Sequence, residues 1–136
     1  MTLAVHADDV YYVFYDGNVV LSHVYLDDTS SVSLTDVCVL TVKAENWEGG
    51  YGVIASTSTG VVTNASWKCS GGGGAVEQTG WHLDDFDDAA WSQAQVIAAN
   101  DGTFWMGVLP EISPAAQWIW SQNSGDGVVF CRKRLC

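Results

Sequence analysis

Helical periodicity is nearly absent from this chain, and short runs of β-forming residues take its place. VYYVFY (10–15), NVVLSHVYL (18–26), VCVLTVKA (37–44) and YGVIAST (51–57) are rich in Val, Tyr, Ile and Thr. Each is bounded by Gly, Asp, Asn or Ser, as strands are. Shorter runs follow around Ser66–Cys69, Gln117–Trp120 and Val128–Cys131. Many short strands within 136 residues predict one all-β domain over 1–136, a sandwich or a barrel. With 48% hydrophobic and 15% charged residues, the chain has a core to build.

Local signals refine this. Asp16-Gly17 is a hairpin turn between the first two runs. Alternation places Tyr11, Val13 and Tyr15 on one face of the first strand and Val10, Tyr12 and Phe14 on the other. In FDDAAW a short helical turn is expected, with Asp87 as its N-cap, Asp88 in the first turn, and Phe86 and Trp91 at hydrophobic-staple spacing. Trp67 and at least one of Trp118 and Trp120 are expected in the core. Ser70-Gly71-Gly72-Gly73-Gly74 reads as a flexible loop, not a phosphate cradle, because no Gly-Lys-Ser/Thr follows.

Net charge is −11, which speaks against nucleic acid and anionic membranes as partners. Among the five bases, Arg132, Lys133 and Arg134 stand together, leaving Lys43 and Lys68 elsewhere. Such a surface suits cations or neutral ligands, and it is equally an ordinary soluble one. No apolar run approaches the ~18 residues of a membrane span, and Met1-Thr2-Leu3-Ala4 lacks the basic start and apolar stretch of a leader. The four cysteines form no CxxC pair, so a zinc ribbon or thioredoxin site is not expected, and their even number leans towards disulfides and an oxidising compartment. Asn64-Ala65-Ser66 is an acceptor sequon.

The stretch HADDVYYVFYDG (6–17) sets two carboxylates before an apolar strand. Counted back from Asp16-Gly17, an unbroken antiparallel register puts Asp8 opposite Tyr25 and His6 opposite Asp27. Asp8, Asp9, Asp27 and Asp28 then converge at one sheet end, with Asp16 about 23 Å away at ~3.3 Å per residue. Two carboxylates 4 Å apart repel by about 4 kcal/mol at an effective dielectric near 20. Calcium, which takes six to eight oxygens, would offset this. Solvation at a loop edge, or backbone hydrogen bonds to the next turn, would do so as well.

A sugar site combines an aromatic plate with polar side chains for the hydroxyls. Trp47, with Asn46, Glu48 and Tyr51 in a Gly-flanked loop, offers both; so does Trp105 with Asp101 in a second loop. Each tryptophan is equally readable as a loop anchor, Trp105 more so. Catalysis finds no support. The Asp pairs do not flank a cleft as glycosidase carboxylates do, no nucleophile motif occurs, and His6, His23 and His82 read as surface or edge residues without metal-ligand spacing.

Taken in order, ADDVYYVFYDG, VLTVKAENWEGGYGVIAS, SWKC, GWHLDDFDDAAW, ISPAAQWIW and VVFCRKRL resemble the galactose-binding-domain-like jelly-roll. That β-sandwich occurs as lectin-like modules of secreted animal proteins and as non-catalytic domains of glycoside hydrolases. The resemblance spans most of the chain and is more specific for fold than for function. The chain departs from the pattern at Tyr12 and Phe14, where the family often has polar residues, and at Trp47-Glu48-Gly49-Gly50-Tyr51, where it usually has small ones. Exposed aromatics, or a second layer packed on that sheet face, would account for Tyr12 and Phe14. The resemblance implies an extracellular module that binds a glycan or glycoprotein, and the carboxylate cluster adds calcium as an expected support. It also implies a Cys69–Cys131 disulfide, with Cys38 and Cys136 paired or free. A structural or adhesive matrix protein is the second reading, and a glycoside-hydrolase fragment the third.

Overall fold

A computed structural model describes residues 1–24, 29–47, 49–71, 78–104 and 106–136. Asp27, Asp28, Glu48, Trp105 and Gly72–Gly74 lie outside the described residues. Ten strands form: β1 Thr2–Asp8, β2 Val10–Tyr15, β3 Asn18–Val24, β4 Ser30–Ser33, β5 Val39–Glu45, β6 Gly52–Thr57, β7 Lys68–Gly71, β8 Gln95–Ala99, β9 Gln117–Trp120 and β10 Val128–Arg134. They make two five-stranded antiparallel sheets, β4-β1-β6-β9-β8 (sheet A) and β3-β2-β5-β10-β7 (sheet B), packed as a β-sandwich. The domain is all-β, with no helix among the described residues.

Alternation builds the core. Leu3, Val5 and Ala7 of β1 face Tyr11 and Val13 of β2 and Leu40, Val42 and Ala44 of β5 across the sandwich. Trp67 and Trp120 join that cluster, as does the Cys69–Cys131 disulfide between directly opposed residues of β7 and β10. A second disulfide, Cys38–Cys136, ties the C-terminus to the approach to β5. The pair fits an oxidising compartment.

The hairpin at Asp16-Gly17 closes with Tyr15 opposite Asn18, and both turn residues have positive φ (51° and 79°), which the glycine accommodates without strain. The unbroken register counted from it does not hold. A bulge between Val13 and Phe14 shifts the pairing by one residue, so Val10 meets Val24. The chain then changes sheets between Asp8 and Asp9. His6 therefore pairs with Ile54 and Asp8 with Gly52, both in sheet A. Far from being a surface residue, His6 is fully buried, edge-on to Trp118 at 6.0 Å. Ser70 and Gly71, expected in the glycine loop, belong to β7.

Both outer faces carry a second layer. Over sheet A, Phe104, Leu109, Ile112 and Ala116 pack on Ile54 and Trp118. Phe104 stacks on Trp118 at 4.1 Å, beside Gly52, whose added Cβ would lie 2.8 Å from the Trp118 ring. Over sheet B, Trp81 packs against Phe14 and Phe130. This layer explains the outward Phe14. Tyr12 is half-buried, with the Lys43 ammonium 5.6 Å from its ring.

FDDAAW lies in the sheet-B layer as a tight turn and not a helix. Asp87 Oδ1 accepts the Ala89 amide at 3.0 Å, as an N-cap would, and Phe86 meets Trp91 edge-on at 5.5 Å as the staple spacing requires. After the Trp91 N–H to Asp88 carbonyl bond the chain leaves helical geometry, Ser92, Gln93 and Ala94 pairing with Trp67–Cys69 instead.

Candidate functional site

At one end of the sandwich the chain crosses between sheets twice, at Asp8–Asp9 and over residues 46–51. The two crossings are stitched together. The Asp9 amide donates to the Glu45 carbonyl (2.8 Å), and Asp9 Oδ2 accepts the Trp47 amide (2.7 Å). Trp47 Nε1 donates to Glu45 Oε1 at 3.0 Å. Asn46 is held on both sides, its amide by the Gly127 carbonyl (2.8 Å) and its Nδ2 by the Gly49 carbonyl (3.4 Å).

These bonds leave Trp47 48% exposed while fixing its backbone and its indole N–H. Exposed aromatic surface held in one orientation is what stacking on a sugar ring needs, since little ordering entropy is then lost on binding. Asp9, Glu45, Asn46 and Trp47 are therefore the residues brought together here. The sequence places Asp9 among candidate metal ligands and does not single out Glu45, which lies in β5. The i, i+2 spacing of Glu45 and Trp47 was a usable signal, whereas the Asp9 contact, 38 residues away, was not.

Tyr51 and Asp101 stand on other supports. Tyr51 is half-buried against Trp120, ring centroids 5.4 Å apart, at the margin of the core. Asp101 caps its own turn, Oδ1 accepting from the Thr103 hydroxyl (2.7 Å) and amide (3.0 Å). Those bonds hold its carboxyl below the ordinary value. Asp8 is 5% exposed. Among the described residues, no three His, Cys, Asp or Glu side chains are grouped for a metal. Of the four carboxylates expected around calcium, Asp8 and Asp9 are described, with Asp9 Oδ2 on the Trp47 amide, and Asp27 and Asp28 lie outside the described residues.

A recess of about 240 Å³ at the opposite end escaped the sequence reading. Phe14, Asp16, Asp36, His82 and Asp84 line it. The rings of Phe14 and His82 stack at 5.0 Å, so one face of that aromatic is already occupied.

No protein-family model matches the chain, and comparison with curated proteins and with solved structures gave no significant match.

Proposed function

We propose that the protein is a non-catalytic, lectin-like extracellular module of the galactose-binding-domain-like jelly-roll type, which binds glycan through Trp47. One observation carries the reading: Trp47 is 48% exposed although its backbone and indole N–H are both held in place. A sugar ring would stack on the indole, and Asn46 and Glu48 are the polar residues nearest to it in sequence. Trp47 is preferred to the Phe14–His82 recess because those two rings stack on each other. Calcium would be held by Asp8 and Asp9 with Asp27 and Asp28, and its role would be to steady the crossing that carries Trp47.

Glycan-array binding by the wild type and by Trp47→Ala tests this. Binding by the wild type and its loss in the variant support the reading. Binding that survives Trp47→Ala but is lost in Asp36→Asn would move the site to the recess. Calcium should raise the melting temperature of the wild type, and Asp9→Asn with Asp28→Asn should remove most of that rise. A melting curve unmoved by calcium excludes the ion. The alternative, a structural or adhesive matrix protein, draws on the net charge of −11. It predicts no binding on the array.

A further inference from the structure

The sequon Asn64-Ala65-Ser66 lies outside everything derived so far, and we propose that Asn64 carries an N-linked glycan. Of the five asparagines (18, 46, 64, 100 and 123), only Asn64 is followed two residues later by Ser or Thr. The sequon sits where the chain crosses from β6 in sheet A to β7 in sheet B, between two firm anchors. Before it, buried Thr63 donates its hydroxyl to the Gln117 carbonyl (2.7 Å) and accepts the Ala55 amide (3.0 Å). After it, buried Trp67 donates its indole N–H to the Val62 carbonyl (2.9 Å), and its amide to the Asn64 carbonyl (3.2 Å).

Between the anchors, Ala65 and Ser66 are exposed and Asn64 is partly so. The side chain of Asn64 is oriented by its own sequon. Oδ1 accepts both the Ser66 amide (2.9 Å) and the Ser66 hydroxyl (2.5 Å). The carbonyl half of the amide is thus turned into the turn, and Nδ2, without a partner among the described residues, is the half left to solvent. A glycan on Nδ2 therefore breaks no hydrogen bond among the described residues.

The reaction is a substitution without redox change. Nδ2 attacks the anomeric carbon of an oligosaccharide carried as a polyprenyl pyrophosphate. The C–O bond to phosphate breaks, the pyrophosphate leaves with the electron pair, and the amide loses one proton. Such donors and their transferase belong to the secretory route that also forms disulfides, and this chain has two. Position favours coexistence with Trp47. Ser66 accepts from Lys133 Nζ at 2.9 Å, whereas the Trp47 crossing adjoins Val128, paired with Glu45. Val128 and Lys133 are five steps apart along β10, roughly 17 Å at ~3.3 Å per residue.

The full chain, secreted from a eukaryotic host behind a leader, gives the test by intact mass and peptide mapping. Wild type and Ser66→Thr should carry a glycan mass that an N-glycan amidase removes, converting Asn64 to Asp. Ser66→Ala and Asn64→Gln should lack it. Because Ser66→Ala keeps the asparagine and Ser66→Thr keeps the hydroxyl, misfolding of one variant does not decide the outcome. Secreted, disulfide-bonded wild type with unmodified Asn64 overturns the proposal, as does glycan at Asn64 that persists in Ser66→Ala.

Discussion

The two sheets solve the same problem, an apolar outer face, by different chemistry. Over sheet A the layer is apolar and organised by one neutral amide. Buried Asn100 directs Nδ2 towards the carbonyls of Leu109, Ile112 and Ser113 (3.1–3.2 Å) and accepts the Leu109 amide at 2.9 Å. Over sheet B the organiser is a cation. Arg132, 1% exposed, donates to Asp88 Oδ2 (3.0 Å), to the Leu83 and Phe86 carbonyls (3.0 and 3.3 Å) and to the Trp81 carbonyl, beneath the Phe86 ring. A planar guanidinium with five donors can gather that many acceptors from one loop. The neutral hub bonds only neutral groups, whereas the charged one is paired with a carboxylate that titrates, Asp88.

Arg132→Met gives the largest effect expected. It leaves the Asp88 carboxylate with Lys68 alone and strips the loop carbonyls of donors, and losing one partner of a buried pair costs about 3–5 kcal/mol. The lower end applies here, since Asp88 is partly exposed. Urea unfolding measures the total. Hydrogen exchange should show residues 78–91 opening while 106–116 stay protected. A cost below about 1 kcal/mol would mean that packing of Trp81 and Phe130, and not the guanidinium, holds this layer.

Asn100→Ala comes next, at about 2 kcal/mol, because the Leu109 amide and the carbonyls around it lose their partner inside an apolar layer. Here the exchange pattern should invert, with 106–116 opening and 78–91 unchanged. Uniform opening in either variant would show that the two layers are one cooperative unit.

Acid distinguishes the layers without mutation. Burial alone would raise the Asp88 carboxyl, but hydrogen bonds from Arg132 and Lys68, with their charges, outweigh it and hold the group below its ordinary value of 3.8. A carboxyl depressed on folding contributes stability that is complete above its unfolded pKa and lost as pH falls through the folded one. The sheet-B layer should thus be steady above roughly pH 5 and loosen as the pH drops below 3.8. Exchange in 106–116 should not follow, since Asn100 does not titrate. Arg132→Met should flatten the acid response of 78–91.

How far the sequence foretells this depends on the range over which each feature is written. VYYVFY, QWIW and the Phe86–Trp91 contact are local patterns and stand as read. The Cys69–Cys131 bond followed from resemblance and not from spacing. Three strands went unread for three reasons. β1 carries only the short apolar run Leu3-Ala4-Val5 before His6-Ala7-Asp8-Asp9, too little to read as a strand. β4, SSVS, is a polar edge strand. β8, QVIAA, holds a bulge between Val96 and Ala98 that spoils its alternation. Arg132 looked like one member of a basic cluster. Its burial comes from a loop some 45 residues earlier, and Asn100 serves carbonyls that only the folded layer assembles.

Trp47 belongs to neither layer, which makes it the finest probe of the comparison. Trp47→Ala removes the indole bond to Glu45 and the packing of a half-exposed side chain, leaving the Asp9 bond to its backbone amide in place. An exposed hydrogen bond contributes about 0.5–1.5 kcal/mol, and both Glu45 and the space vacated by the ring open to water. The expected loss is therefore about 1 kcal/mol, with exchange unchanged in 78–91 and in 106–116. Thermal unfolding with exchange mapping reads both. A loss of 3 kcal/mol or more, the ~3–5 kcal/mol range of a core Trp→Ala, would make Trp47 a packing residue. Binding lost in such a variant would then report a collapsed crossing and not a missing sugar contact. A small loss with both layers intact would leave the indole ring itself as what binding requires.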